Sequence, residues 1–187
     1  MSSSAANQQA YGRRRKSPYM VAIVLAMVMF ILVAPEVNDG DAMSPTINDG
    51  QILVVSKTSY SQNRGIPERD QLVILEKNAT NAQKVSDDNI IARVAGLPGE
   101  TVEIKDGKVY IDGSETALDD SFIPEKMQGS LGPYTVPDNC YFMLGDNRND
   151  SKDSRFWKNT FVRFDQIVGK AVVRYYPSIK LLGYEEP

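Results

Sequence analysis

Residues 101–111 read TVEIKDGKVYI, two short runs rich in alternating apolar and polar side chains on either side of Asp106-Gly107. An aspartate-glycine pair between such runs supplies the positive φ values that a two-residue hairpin turn needs, so Thr101–Ile104 and Lys108–Ile111 are predicted to pair antiparallel. Working outward, Gln51–Ser56 (QILVVS), Gln71–Glu76 (QLVILE) and Ile90–Ala95 (IIARVA) are β-branched runs bounded by turn residues. Tyr141–Leu144 and Ile167–Tyr176 extend the series, and nothing after residue 35 holds a helical period over three turns. Residues 113–138 are rich in Gly, Pro and Asp and are expected to form a small insertion or long loops. The body of the chain is thus expected to be mostly β, an antiparallel domain.

With 187 residues the chain can hold a single compact domain and an anchor, and its 42% hydrophobic and 24% charged residues suit a folded protein. The absence of histidine narrows the chemistry most. It excludes a Ser-His-Asp triad, a Cys-His dyad and any imidazole zinc site. Cys140 is alone, so neither an internal disulfide nor a four-thiolate metal site is available, and no metal or cofactor is expected. Charge is uneven. Residues 1–35 carry Arg13, Arg14, Arg15 and Lys16 and no acid, leaving 17 basic against 24 acidic side chains beyond, a net charge of −7. A basic head on an acidic body argues against nucleic acid as a partner.

Tyr19 to Ala34 is an uncharged apolar run (YMVAIVLAMVMFILVA) between Pro18 and Pro35. As a helix it would reach about 24 Å, slightly short of a bilayer's hydrocarbon core. We read 1–16 as a cytoplasmic basic tail, 17–35 as a single-pass transmembrane anchor and 36–187 as an extracytoplasmic domain. A cleavable secretory signal has the same order of features, but Pro35 just after the cut would hinder processing.

Three segments carry a further message. Gly40-Asp41-Ala42-Met43-Ser44-Pro45-Thr46 follows the apolar run closely. Next comes Ala92-Arg93-Val94-Ala95-Gly96-Leu97-Pro98-Gly99-Glu100, and then Gly145-Asp146-Asn147-Arg148-Asn149-Asp150-Ser151-Lys152-Asp153-Ser154-Arg155. Taken singly, the first two are ordinary loop punctuation. In order behind one apolar run, the three resemble bacterial type I signal peptidase, in the short form of Gram-positive type. The family reads Gly-Asp-Ser-Met-x-Pro-Thr, then Lys-Arg before Gly-Leu-Pro-Gly, then Gly-Asp-Asn-Arg with Ser-x-Asp-Ser-Arg. The resemblance implies an antiparallel β fold with a small second β region, and a membrane enzyme that cuts signal peptides from secreted preproteins. It places the serine nucleophile at position 42, the lysine general base at 92, and at Ser151 the hydroxyl that orients the lysine. Met43 and Pro45 fall where the family contacts substrate. For Asp146, Arg148, Asp153 and Arg155 a structural network of carboxylate–guanidinium pairs is expected.

A Ser-Lys site works only if burial keeps the amine neutral, so that it can take the serine proton during attack on the scissile carbonyl. Here Ala42 has no side-chain oxygen and Ala92 no nitrogen. Loss of such a unit leaves only a residual ~10³–10⁴-fold rate enhancement over water, so the chain is expected to be inactive as written. Neither nearby candidate restores it. Ser44, in an extended segment, would lie about 6.5–7 Å beyond position 42, and Lys84 sits in a polar stretch. The expected partners are preprotein signal peptides and the lipid bilayer. Three readings stand side by side: a disabled peptidase scaffold, a natural non-catalytic homologue acting as chaperone or assembly factor for secreted or pilus proteins, and a self-cleaving repressor-type Ser-Lys peptidase. The last would need neither the anchor nor the 145–155 motif.

Overall fold

Strict alternation in two adjacent strands builds the centre of the molecule. In β3 (Leu72–Leu75) and β4 (Ile90–Gly96), Leu72, Ile74 and Ile91 face one way, while Val73, Leu75, Ala92 and Val94 face the other. Both sets are buried, so each face of the sheet carries its own apolar cluster and the strand sequences read as nearly continuous hydrophobic runs.

The computed structural model describes residues 19–23, 27, 32–60, 65–80, 89–123 and 125–182. The chain divides into two units, Met1–Ile31 and Leu32–Pro187. In the first, residues 19–23 and 27 are helical. No helix among the described residues is long and apolar enough to cross a membrane. The basic tail 1–16 and most of the expected anchor lie outside those residues.

The second unit begins with a correction. Val33, Ala34 and Pro35, assigned above to the anchor, belong instead to strand β1 (Val33–Val37), which pairs antiparallel with β2 (Ile52–Ser56). β1 is the sheet's edge, where a proline with no N–H to donate is tolerated. Pro35 therefore sits inside a strand and does not mark the end of a membrane span.

The large sheet runs β1-β2-β10-β3-β4-β8-β9, with β8 (Cys140–Leu144), β9 (Phe161–Arg163) and the long β10 (Ile167–Tyr176); β11 (Lys180–Leu181) adds to β10. Every described pairing is antiparallel. A separate small sheet has the order β6-β5-β7, from β5 (Thr101–Lys105), β6 (Lys108–Ile111) and β7 (Leu131–Thr135). Asp106 and Gly107 take φ of 49° and 78°, as the predicted hairpin turn requires. All seven expected strands form, with ends shifted by no more than one residue. The four not foreseen are short or sit on an edge; β7, for example, contains Gly132 and Pro133 at the margin of the small sheet.

The small sheet joins the large one through Gly-Leu-Pro-Gly. A Cβ on Gly96 would come within 2.5 Å of Val102 Cγ2 and 3.0 Å of Phe142 Cβ, so only glycine lets β4 pass this close to β5 and β8. The turn that follows is closed by Glu100, whose carboxylate accepts from Leu97 N at 2.7 Å and pairs with Arg69.

Candidate active site

The loop carrying Ala42 is held at both ends before it reaches the site. Asn38 Nδ2 donates to Gly40 O at 2.8 Å and to Asn48 O at 3.0 Å, clasping the loop's base. Met43 and Ile47 are buried in the cluster on the Ile91 face and fasten its centre. Residues 42–46 form turns, with Ser44 N donating to Asp41 O and Ile47 N to Met43 O. The extended geometry used above to place Ser44 relative to position 42 therefore does not hold, because the five-residue turn from Met43 to Ile47 buries both of its end side chains. Ser44 is committed elsewhere, its hydroxyl donating to Asn48 Oδ1 at 2.9 Å. Met43, expected at the substrate surface, is core, and Pro45 is exposed.

Opposite this loop runs the strand-to-turn segment after β8. Asn147 N donates to Ala42 O at 3.0 Å, and Asn147 Nδ2 to Asp41 O at 3.1 Å. Gly145 is where the parts converge. A Cβ there would lie 2.6 Å from Ala42 O and 2.5 Å from Ser151 Cβ, so the backbone at 42 and the side chain of Ser151 both press on this glycine. The β4–β8 ladder pairs Arg93 with Leu144 and Val94 with Met143. Carried one residue further, that register sets Ala92 across from Gly145, on the same face of the sheet. Positions 42 and 151, distant in sequence, thus meet at a residue with no side chain, and the strand register directs Ala92 toward the same residue.

Ala92 is only 2% exposed and packs in the cluster of Val73, Tyr141, Met143 and Trp157. Burial raises the phenol pKa of Tyr141 and, well above its ordinary value, that of Tyr60, which also packs on this cluster. Surroundings that hold phenols neutral also disfavour a protonated amine.

The 145–155 segment is polar where the Ala92 cluster is apolar. Ser151 Oγ donates to Asp153 Oδ2 at 2.7 Å and accepts from Arg155 Nη2 at 3.0 Å. The same Asp153 oxygen receives Gly145 N at 3.0 Å, and Arg155 grips both carboxylate oxygens at 2.7 Å. Asp146, fully buried, receives Arg93 Nε at 2.7 Å and Nη2 at 2.5 Å. Arg148 meets Asp120 through two bonds of 2.6 and 2.7 Å. Of the four residues expected to form a network, Asp153 and Arg155 pair with each other. Asp146 and Arg148 instead reach partners outside the motif, Arg93 and Asp120. Burial pushes the nearby Asp70 carboxyl above its ordinary value, against the pull of Arg93 and Arg69.

The signal peptidase, peptidase S26 family model matches residues 14–176, which take in all three segments. The chain belongs to this signal peptidase family. A probable signal peptidase I-2 of Synechocystis is 36% identical over 161 residues, covering 84% of this chain and 70% of that one. Signal peptidase I of Leptolyngbya laminosa is 36% identical, with coverage of 86% and 78%. Signal peptidase I S of Bacillus subtilis is 34% identical, with coverage of 83% and 86%. A crystal structure of a signal peptidase I from Enterococcus faecalis is 27% identical, with a TM-score of 0.47, covering 58% of this chain and all of that one.

The side chains at 42 and 92 are bare methyl groups, and neither can attack a carbonyl or accept a proton. Lys84 lies outside the described residues, and among these no cluster of three or more acidic or cysteine side chains is spaced to hold a metal. Sequence reasoning missed Asp120 and Phe122. Neither has a local signal, because their partners lie about thirty residues away and become visible only through the fold.

Proposed function

We propose that the chain is the scaffold of a type I signal peptidase, able to bind signal peptides of secreted preproteins and inactive as written. In its Ala42→Ser, Ala92→Lys form it would cleave them. The observation that carries this reading is the convergence on Gly145. The carbonyl of residue 42 and the Ser151 hydroxyl abut that glycine, and Ala92 faces it in an apolar cluster suited to a neutral amine.

On this reading the serine at 42 gives its proton to the lysine amine and attacks the scissile carbonyl, and Ser151 Oγ, already held by Asp153 and Arg155, orients the amine. Pro45, exposed beside position 42, would contact the substrate. The basic tail and apolar run would keep the N-terminus cytoplasmic and the β domain outside a bacterial cell membrane, on one span.

The test is restoration. The Ala42→Ser/Ala92→Lys chain is mixed with a preprotein and cleavage is followed at the signal-peptide junction, beside the unaltered chain. Cleavage by the doubly substituted chain alone supports the disabled-enzyme reading. A folded, substituted chain that still binds a signal peptide but never cuts it sinks that reading and supports a non-catalytic homologue acting as a chaperone or assembly factor. Cleavage by the unaltered chain overturns the assignment of positions 42 and 92.

A further inference from the structure

The connection between β6 and β7 leaves the small sheet, grips the loop after β8 at Arg148 and Asn149, and covers Arg93 of β4, whose guanidinium holds Asp146 of that loop. Asp120 takes both terminal nitrogens of the Arg148 guanidinium, whose Nε donates to Gly145 O at 3.2 Å. Phe122 lies over the guanidinium of Arg93, 4.4 Å from carbon to ring centre, while that group is held in plane by Asp146. Asn149 is bound through its side-chain amide, donating to Lys126 O at 3.0 Å and accepting from Gln128 N at 3.1 Å.

Asn147 lies between Asp146 and Arg148, and its N–H and side chain hold the carbonyls of Ala42 and Asp41. The residues on each side of it are clamped, two through charge pairs that are largely buried. We infer that residues 119–123 and 125–128 act as a strap that sets the loop and, through Asn147, the place of residue 42, with Asp120 and Phe122 as positioning residues. The part that concerns the nucleophile rests on the proposed role of position 42; the mechanical part does not. The charge pair between Asp120 and Arg148 joins segments 28 residues apart, and buried guanidinium–carboxylate forks fix orientation as well as distance. A misplacement near 1 Å at a reacting atom costs about 10²-fold in rate, so a strap acting at this remove would be read in turnover.

Two measurements separate the mechanical part from the catalytic one. In the unaltered chain, Asp120→Asn and Phe122→Leu are compared with the parent by amide hydrogen exchange. Exchange at Asn147 and across 42–44 should rise about tenfold while amides of β3 and β4 hold, and Asp120→Glu should restore protection. Uniform acceleration over the whole sheet, or none at Asn147, overturns the strap. In the Ala42→Ser/Ala92→Lys chain, Asp120→Asn should lower kcat about 10- to 100-fold with KM changed by less than about twofold. A rise in KM alone would overturn its role in placing residue 42. If that chain cuts nothing even with Asp120 intact, the proposed function fails while the exchange result still decides the strap.

Discussion

The two halves of the site lie against each other and have opposite inventories. Around Ala92 the groups are apolar and the position is a small methyl in a cluster of larger side chains; around Ser151 nearly every polar atom has a partner. The apolar half contributes surroundings that disfavour a buried charge. The charged half contributes geometry, which persists because its pairs also hold the loop after β8 and the sheet end together. The form of this region therefore does not depend on what stands at positions 42 and 92, because the groups that shape it are also structural.

Removing charge from the charged half should have the largest effect. Asp146→Asn leaves the Arg93 guanidinium buried against an uncharged amide, and breaking such a pair costs about 3–5 kcal/mol. Chemical denaturation should show that loss, and a loss below about 1 kcal/mol would mean that water or Asp70 takes over the charge.

Placing charge in the apolar half tests the comparison from the other side. With Ala92→Lys, burial depresses the folded-state pKa of the amine below its unfolded value of about 10.4. Between those two values the unfolded chain binds the extra proton, so stability rises with pH by about 1.4 kcal/mol per unit. Urea unfolding between neutral and alkaline pH, against the parent chain, would read that slope; a flat difference would show that the amine escapes to solvent.

The smallest effect is expected at a pair with no part in either half. Arg163 and Asp165 are joined on the surface, and both are exposed. Their mutual hydrogen bond raises the arginine pKa and lowers the aspartate pKa. Solvent and salt screen such a pair, so Asp165→Asn should leave the thermal midpoint unchanged. A clear drop would show that ion pairing as such, not burial, maintains the charged half.

The strands were legible because their signals are local. Period-two alternation and the Asp106-Gly107 turn lie within a few residues, and the seven strands they predict form nearly to the residue. Pro35 misled because a proline reads as a boundary in sequence, while its tolerance at a sheet edge depends on which strand lies outermost. The extended geometry supposed between 42 and 44 failed for a similar reason, since Met43 and Ile47 coil that segment only once there is a core to enter. At the charged half, Asp153 and Arg155 pair two residues apart, so their link was visible. The links from Arg93 to Asp146 and from Arg148 to Asp120 were not, since nothing near either partner names the other.

By itself the sequence determined the β architecture, the order of the three segments and the lack of any side chain at 42 or 92 able to do Ser-Lys chemistry. Those are properties of short windows and of atoms that are present or absent. Only the tertiary structure decided that 42 and 151 meet at Gly145, that the β4–β8 register directs Ala92 toward it, and that the β6–β7 connection reaches across to Arg148 and Arg93. Contacts of that kind depend on strand order and register, which many distant residues set together.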